Sequence, residues 1–218
     1  MALRVQGLHK LNPSTVNSFS TPSKRIEDGD DLAFFLSSTA YRDINLWLFQ
    51  LNRAVFPTEI DDGTISTCLL ESPPDYSPAV TSLRALLDSL SDLIESAPPD
   101  TGPRRFGNVS FRAWFRLAED RVDDLLEKNI VSTLDRHAKD DSSRRTALRD
   151  ELKAYLLGSL GSAPRLDYGT GHELSFLAFL ACLWKLDTFA SGEERAIVVG
   201  LINPYVHPTT RSSMISRH

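Results

Sequence analysis

The longest apolar run in the chain stands directly behind a short polar turn. The turn, residues 167–173, holds an aspartate, a tyrosine, two glycines, a threonine, a histidine and a glutamate. The run, residues 174–186, is interrupted mainly by Ser175 and Lys185. A helix that is apolar around most of its circumference is buried on most sides. The pattern therefore predicts a buried central helix over about 172–189, with a polar loop at its N-terminus.

Four further segments carry apolar residues at three- and four-residue steps, a period that indicates helices. Capping residues, prolines and glycines bound them. They run from Asp30 or Asp31 to before Pro57, from Ser77 to before Ala97, from Asn108 to Ile130 and from after Ser143 to Gly158, and a shorter helix runs from Glu193 to before Pro204. The first is predicted to bury Phe34, Phe35, Tyr41, Ile44, Trp47, Leu48, Leu51 and Val55. Residues 195–202 fit a buried helical turn as well as a strand, and no alternating run stands out. The prediction is an irregular, multi-helix all-α fold around the central helix.

Composition divides the chain of 218 residues into three parts. Residues 1–21 lack periodicity and are rich in Ser, Thr and Pro, which predicts a flexible N-terminal arm. Residues 22–203 form one all-helical domain with enough chain for a core. Residues 204–218 hold two prolines, Pro204 and Pro208, which do not continue a helix cleanly, and residues 209–218 have little apolar content, which predicts a tail that frays.

Charge and cysteine content narrow the classes of partner and compartment. The net charge of −5 argues against nucleic acid, because phosphate binding needs a basic face. No run reaches 18 apolar residues, so no membrane-spanning helix is expected. Cys68 and Cys182 lie far apart and fit no metal-binding spacing. Two thiols without a signal peptide favour a reducing compartment, the cytoplasm or the nucleus.

The polar turn excludes several known motifs. Gly169-Thr170-Gly171 lacks the third glycine of a dinucleotide-binding loop and the Gly-Lys-Ser/Thr ending of a phosphate loop. His172-Glu173 is followed three residues later by Phe176 rather than by a second histidine, which excludes a zinc-protease helix. From the residues alone, a simple helix-start loop with a hydrogen-bonding histidine is favoured over a catalytic one. An anion-binding loop remains an alternative interpretation, because glycines allow backbone amides to approach an anion closely.

Three blocks of the sequence resemble the phosphotyrosyl phosphatase activator family, the activators of protein phosphatase 2A. They are Asp-Tyr-Gly-Thr-Gly-His-Glu at 167–173 before Phe-x-x-Phe-Leu, Arg-Phe-Gly-Asn at 105–108 before Phe-Arg-x-Trp-Phe, and Ser-Thr-Ala-Tyr at 38–41 before Leu-Asn-x-Ala-Val. The resemblance covers roughly residues 22–200. It implies the catalytic subunit of the phosphatase and its scaffold complex as partners, a proline-containing peptide as substrate, and peptidyl-prolyl cis/trans isomerase activity that depends on ATP and Mg²⁺.

The resemblance also implies one deep nucleotide pocket built from two of the blocks. In it, the arginine would meet phosphate oxygens, and Phe106 or Phe111 would stack on a base. Asp167 and Glu173 would hold the magnesium ion, which prefers oxygen ligands. The implied nucleotide-binding residues are Arg105, Phe106, Gly107, Asn108, Ser110, Phe111, Gly169, Thr170 and Gly171. No catalytic residue is assigned, because twisting an amide breaks no covalent bond and needs no nucleophile.

Two further expectations concern activity. The alternative to an isomerase is a non-enzymatic helical module that binds the phosphatase catalytic subunit, and a metal-dependent hydrolase is poorly supported because no ligand set is evident. After Gly200 the sequence departs from the family's pattern, which continues with another long helix and a C-terminal segment. We therefore expect a shortened form with an apolar face uncovered near residues 174–200. Its isomerase and activator functions are expected to be weak.

Overall fold

The computed structural model describes residues 7–15, 17–60, 62–98 and 108–206. Helices are the dominant regular structure of these residues, beside one two-stranded sheet, which confirms the predicted all-α class. None of the helices in these ranges is long and apolar enough to cross a membrane. The elements are α1 (Gly29–Leu36), α2 (Thr39–Ala54), β1 (Thr58–Glu59), β2 (Ile65–Ser66), α3 (Pro78–Ser96), α4 (Ser110–Asn129), α5 (Val131–Ala138), α6 (Ser142–Ser159), α7 (Thr170–Lys185), α8 (Glu194–Ile197), a π-helical turn (Val198–Ile202) and α9 (Asn203–Val206).

The predicted central helix is α7, and its burial is confirmed. It packs against α6 and α2, and the α3–α4 pair closes the fold beside α6. Five of its side chains are at most 4% exposed: Phe176, Phe179, Leu180, Leu183 and Trp184. The indole ring of Trp184 lies 5.1 Å from that of Trp47 on α2. The helix α7 thus connects α6 on one side of the core with α2 on the other.

The first predicted helix is two helices, α1 and α2. Asp28, not Asp30 or Asp31, caps α1, because its carboxylate accepts from both of their amides. The chain breaks at Ser37, and the Ser38 hydroxyl accepts from the amide of Tyr41 to start α2. A serine side chain offers the backbone an alternative acceptor, and an apolar period does not reveal that competition.

The predicted inner face of this region is wrong for several residues. On α2, Trp47 and Leu51 are buried. Phe34 is 77% exposed, Leu48 is 48% exposed, and Tyr41 is 38% exposed. The reason is that α2 has apolar residues on two faces, and only one of them meets the core.

Residues 7–11 pack against the core, whereas most of residues 12–21 are exposed, so the expected N-terminal arm over 1–21 does not include residues 7–11. Leu8 is 5% exposed, and its carbonyl accepts from the Trp184 indole N–H at 2.9 Å. The amide of Leu11 donates to the Lys185 carbonyl at 2.6 Å, and the Lys10 ammonium binds the Asp187 carboxylate. We call residues 7–11 the N-terminal strap. Its contacts come largely from backbone atoms, which composition does not encode.

The end of the described chain folds back onto the core. The apolar face expected to be uncovered at 174–200 is instead largely covered: Ile197 is fully buried, whereas Leu174 is 45% exposed. Tyr205, placed in the tail by sequence, is 4% exposed, so the boundary at 203/204 is also wrong. Its ring stacks on Phe176 with the centroids 3.8 Å apart. Residues 207–218 of the expected tail lie outside the described residues.

Candidate functional site

The loop that delivers the Gly-Thr-Gly sequence to α7 closes on itself. The Ser162 amide donates to the Asp167 carbonyl at 3.0 Å, and the Leu166 amide donates to the Ser162 carbonyl at 2.7 Å. Leu166 has φ of 55°, a conformation uncommon for residues other than glycine. These bonds fix the direction in which the chain enters α7.

The start of α4 holds the same loop from outside. Arg112 donates through Nε to the Ala163 carbonyl at 3.0 Å and through Nη2 to the Pro164 carbonyl at 3.2 Å. Arg112 lies one turn after Asn108, the last residue of the Arg-Phe-Gly-Asn block. The described end of that block and the loop before α7 therefore lie side by side.

Asp167 lies at the rim of this loop with its carboxylate about half exposed. Arg165 Nε donates to Asp167 Oδ2 at 2.7 Å, and His172 Nε2 lies 3.7 Å from Asp167 Oδ1. The hydrogen bond from Arg165, with its positive charge, lowers the pKa of Asp167 below its usual value. Asp167 is therefore ionised at neutral pH and presents a negative charge beside the helix start.

His172 is fastened between two elements. Its Nδ1 lies 2.6 Å from the Gly158 carbonyl, which can only accept, so Nδ1 carries the proton. The Tyr168 ring stacks on the imidazole at 5.5 Å. Nε2 is left facing Asp167. This arrangement agrees with the structural role that the sequence favoured, because the ring joins α6 to α7.

Tyr205 is a site residue that sequence reasoning missed. Its hydroxyl accepts from the Tyr168 hydroxyl at 2.8 Å and donates to the Ser159 carbonyl at 2.7 Å, with the His172 carbonyl at 3.1 Å. The phenol thus links α9, the end of α6 and the first turn of α7. The available signal is a single aromatic residue after a proline, a pattern that predicts a tail rather than a site residue.

The first turn of α7 leaves backbone donors available. Gly169 is the N-cap and has no side chain to cap the helix. Its carbonyl accepts from the amides of His172 and Glu173. Helix geometry supplies no acceptor for the amides of Thr170 and Gly171. A Cβ added to Gly169 or Gly171 would meet nothing within 4 Å, so the space beside both glycines is open.

The described part of the second block is buried. Asn108 is 3% exposed, and its Oδ1 accepts from the Ser110 amide at 3.0 Å at the start of α4. Phe111 is 2% exposed, with its ring 5.4 Å from that of Trp114, so burial disfavours its predicted stacking on a base. The predicted roles of Arg105, Phe106 and Gly107 concern residues outside the described ranges.

Comparison with known proteins identifies the family. The family model described as phosphotyrosyl phosphate activator (PTPA) protein matches residues 22–213, which includes both loops. The chain belongs to the PTPA family. This confirms the resemblance found in the sequence blocks.

Two curated relatives and one solved structure are similar to the chain. Two proteins named serine/threonine-protein phosphatase 2A activator 1 are each 50% identical to it. The one from Emericella nidulans matches 93% of this chain and 48% of its own length, and the one from Aspergillus fumigatus matches 91% and 43%. The crystal structure of the PP2A phosphatase activator Ypa1 superposes with a TM-score of 0.71 at 32% identity, covering 92% of this chain and 58% of that one. The chain spans about half the length of the curated relatives it matches.

The carboxylates proposed for magnesium within this PTPA domain stand at the start of α7. Glu173 is exposed in the first turn, and Asp167 precedes the helix by three residues. In the described ranges, no three His, Cys, Asp or Glu side chains gather closely enough to hold a metal ion. Magnesium is often held by one or two carboxylates together with phosphate and water oxygens. Asp167 and Glu173 alone therefore do not form a complete metal site, and a Mg²⁺ ion there would need phosphate and water oxygens to complete its coordination.

Proposed function

We propose that this PTPA domain takes part in activating a serine/threonine phosphatase of the 2A type, by binding the catalytic subunit and its scaffold complex. The observation that carries the proposal is the 50% identity to two proteins named as activators of that phosphatase. The matched region, residues 22–213, contains both the polar loop before α7 and the start of α4.

We propose further that the start of α7 binds the phosphates of ATP together with Mg²⁺. Three features support this. The amides of Thr170 and Gly171 point out of a helix N-terminus, where the helix dipole favours an anion. The open space beside Gly169 and Gly171 lets a phosphate reach those amides. Asp167 and Glu173 supply carboxylate oxygens for the cation, which offsets the phosphate charge.

The implied reaction is the isomerisation of an X-Pro bond in the phosphatase. Such bonds isomerise over tens of seconds unaided. A surface that fits the twisted amide better than the planar one speeds the step without bond breaking. Residues of this domain that would make that fit are unassigned, and the competing proposal remains a module that binds the phosphatase and isomerises nothing.

The nucleotide proposal is tested by placing a methyl group where the phosphate would approach. Gly171→Ala adds a Cβ that touches no protein atom, so the fold should be kept while Mg·ATP binding falls at least tenfold. Gly29→Ala is the matched control, because Gly29 opens α1 and its Cβ would also meet nothing within 4 Å. Binding of Mg·ATP is measured by calorimetry, and equal affinity in the two variants would contradict the proposal.

The carboxylate role is tested separately. Asp167→Asn should weaken ATP binding in the presence of Mg²⁺ more than in its absence, because the lost charge acts through the cation. Asp92→Asn changes an exposed aspartate on α3 and serves as the control. An equal effect of Asp167→Asn with and without Mg²⁺ would remove the metal role and leave the phosphate site standing.

Two parallel measurements distinguish an isomerase from a non-enzymatic binding module. The domain is mixed with the phosphatase catalytic subunit in a pull-down and assayed on a proline peptide for isomerisation. Binding with a rate increase supports the isomerase, and binding without one supports the module. No binding to the catalytic subunit, alone or with its scaffold, would overturn the activator proposal.

A further inference from the structure

The helix α2 carries a second apolar face, opposite to the one that packs in the core. Counted from Tyr41, the residues of this face lie at positions i, i+4, i+7, i+8, i+11 and i+15, and residues with this spacing share one side of a helix. Leu48 is 48% exposed, Phe49 is 62% exposed, and Phe56, two residues past the helix end, is 52% exposed. We call this set the outer face of α2: Tyr41, Asn45, Leu48, Phe49, Asn52 and Phe56.

The outer face reads almost the same in both directions along the helix. Its midpoint lies between Leu48 and Phe49. Moving outward, Asn45 and Asn52 stand at equal distances from that midpoint, and Tyr41 and Phe56 follow at equal distances beyond them. The order is therefore aromatic, amide, apolar, apolar, amide, aromatic.

Such a symmetric order suits a two-fold contact. In an isologous interface, residue i of one copy contacts residue j of the other, and j contacts i. An antiparallel pair of α2 helices centred on the midpoint would set Leu48 against Phe49 of the second copy. The same register sets Asn45 against Asn52, amide to amide, and Tyr41 against Phe56, ring to ring. We propose that the outer face of α2 binds the same face of a second copy of this chain in this antiparallel register.

The charges and the area of the face set the strength of this contact. The face holds no charged residue, so two copies that each carry a net charge of −5 can meet there without like charges face to face. Large apolar side chains bury about 150–250 Å² each, so four of them, roughly half exposed, offer on the order of 400 Å² per copy. A stable interface buries about 800 Å² per partner. The dimer is therefore weak and depends on protein concentration.

Two arginines beside the face predict how salt acts. Arg42 and Arg53 flank the same side of α2, and Arg42 already pairs with Asp43 at 3.1 Å. In the proposed register, Arg42 of one copy approaches Arg53 of the other. Added salt screens this repulsion, so it should strengthen the dimer rather than weaken it.

The register is tested by disulfide trapping in a Cys68→Ser background. The remaining Cys182 is partly buried, and desolvation raises the pKa of its thiol to about 12, which keeps it mostly protonated and slow to react. Asn45→Cys and Asn52→Cys proteins, mixed and mildly oxidised, should form a mixed disulfide dimer. Each protein alone should not, because the two equivalent sulfurs lie about 10 Å apart along the helix pair.

Sedimentation of the unmodified chain at increasing concentration supplies the second readout. Leu48→Asp should abolish the dimer, while Val131→Asp, a matched change at a side chain 46% exposed on α5, should not. A chain that stays monomeric at millimolar concentration overturns the proposal, as does trapping of Asn45→Cys with itself. A monomer whose Leu48→Asp variant loses binding to the phosphatase would assign the face to that partner instead.

Discussion

Gly158 of α6 lies close to Ser175 of α7, and this contact makes a sharp prediction about packing. A Cβ added there would stand 2.7 Å from the Ser175 Oγ and 3.7 Å from the Ser175 Cβ. The Ser175 hydroxyl donates to the Tyr155 carbonyl at 3.0 Å. The same glycine accepts from His172, so this contact also positions the first turn of α7.

Gly158→Ala should destabilise the domain by about 1–3 kcal/mol. Alanine is favoured over glycine in a helix by about 1 kcal/mol at most. Against this, the Ser175 hydroxyl must turn away and lose its hydrogen bond, about 1 kcal/mol, and overpacking at the helix contact costs about 1–3 kcal/mol. The steric loss wins because the contact of 2.7 Å is far inside ordinary atomic separation.

The effect of Gly158→Ala on the free energy of unfolding should reverse its sign in a Ser175→Ala background. Without Oγ, the nearest contact of the new methyl is the Cβ at 3.7 Å, an ordinary van der Waals separation. Only the helix preference then remains, so Gly158→Ala should stabilise that variant by up to about 1 kcal/mol. Urea unfolding of the four proteins measures the free energies of the cycle. In a thermal unfolding experiment, each kcal/mol corresponds to a shift in Tm of about 2–4 °C.

The control background is Ser89→Ala on α3, whose hydroxyl bonds the Ala85 carbonyl far from this contact. Gly158→Ala should destabilise that protein as much as it does the unmodified chain. Equal destabilisation in the Ser175→Ala background would refute the reasoning, because the loss would then not come from the hydroxyl.

Three other predictions concern the core and its titrating groups. Phe179→Ala should lower the free energy of unfolding by about 3–5 kcal/mol, because Phe179 is 1% exposed, and a loss below about 1 kcal/mol in urea unfolding would contradict its place in the core. Tyr205→Phe keeps the stacked ring but leaves the Ser159 carbonyl without its donor, so urea unfolding should show a loss of about 1–3 kcal/mol. Burial lowers the pKa of His137, so the unfolded chain binds a proton more readily than the folded one. The free energy of unfolding should therefore fall as the pH drops below about 6.5. The dependence of this free energy on pH should be weaker in His137→Gln, and an identical dependence in both proteins would contradict this cause.

The parts of the fold that followed from sequence are those with a strong local period. The helices α3, α4, α6 and α7 bury the apolar positions that their spacing marks, because three- and four-residue steps define one side of a helix. The same rule failed on α2, where two apolar faces share one helix. Periodicity identifies a helix but does not tell which of two apolar faces meets the core.

The parts of the candidate site that could not be predicted depend on bonds between distant residues. The sequence located the glycines and the acids at the start of α7, and their local geometry follows from helix capping. Fixing the loop, however, requires Arg112 and Tyr205, which reach it from α4 and α9. No short motif records such partners, because each is a common residue whose role depends on the fold.

The path through Pro204 shows why the end of the described chain was mistaken for a tail. Proline has no amide hydrogen, so a helix that runs through it leaves the carbonyl four residues earlier without its donor. In an α-helical register that carbonyl is the one of Gly200, and Arg84 of α3 donates to it through Nη1 at 3.0 Å. Gly200 also permits the contact, because a Cβ there would stand 2.8 Å from the Tyr76 ring. Arg84 therefore ties the π-helical turn to α3, and Tyr205 of α9 reaches the start of α7.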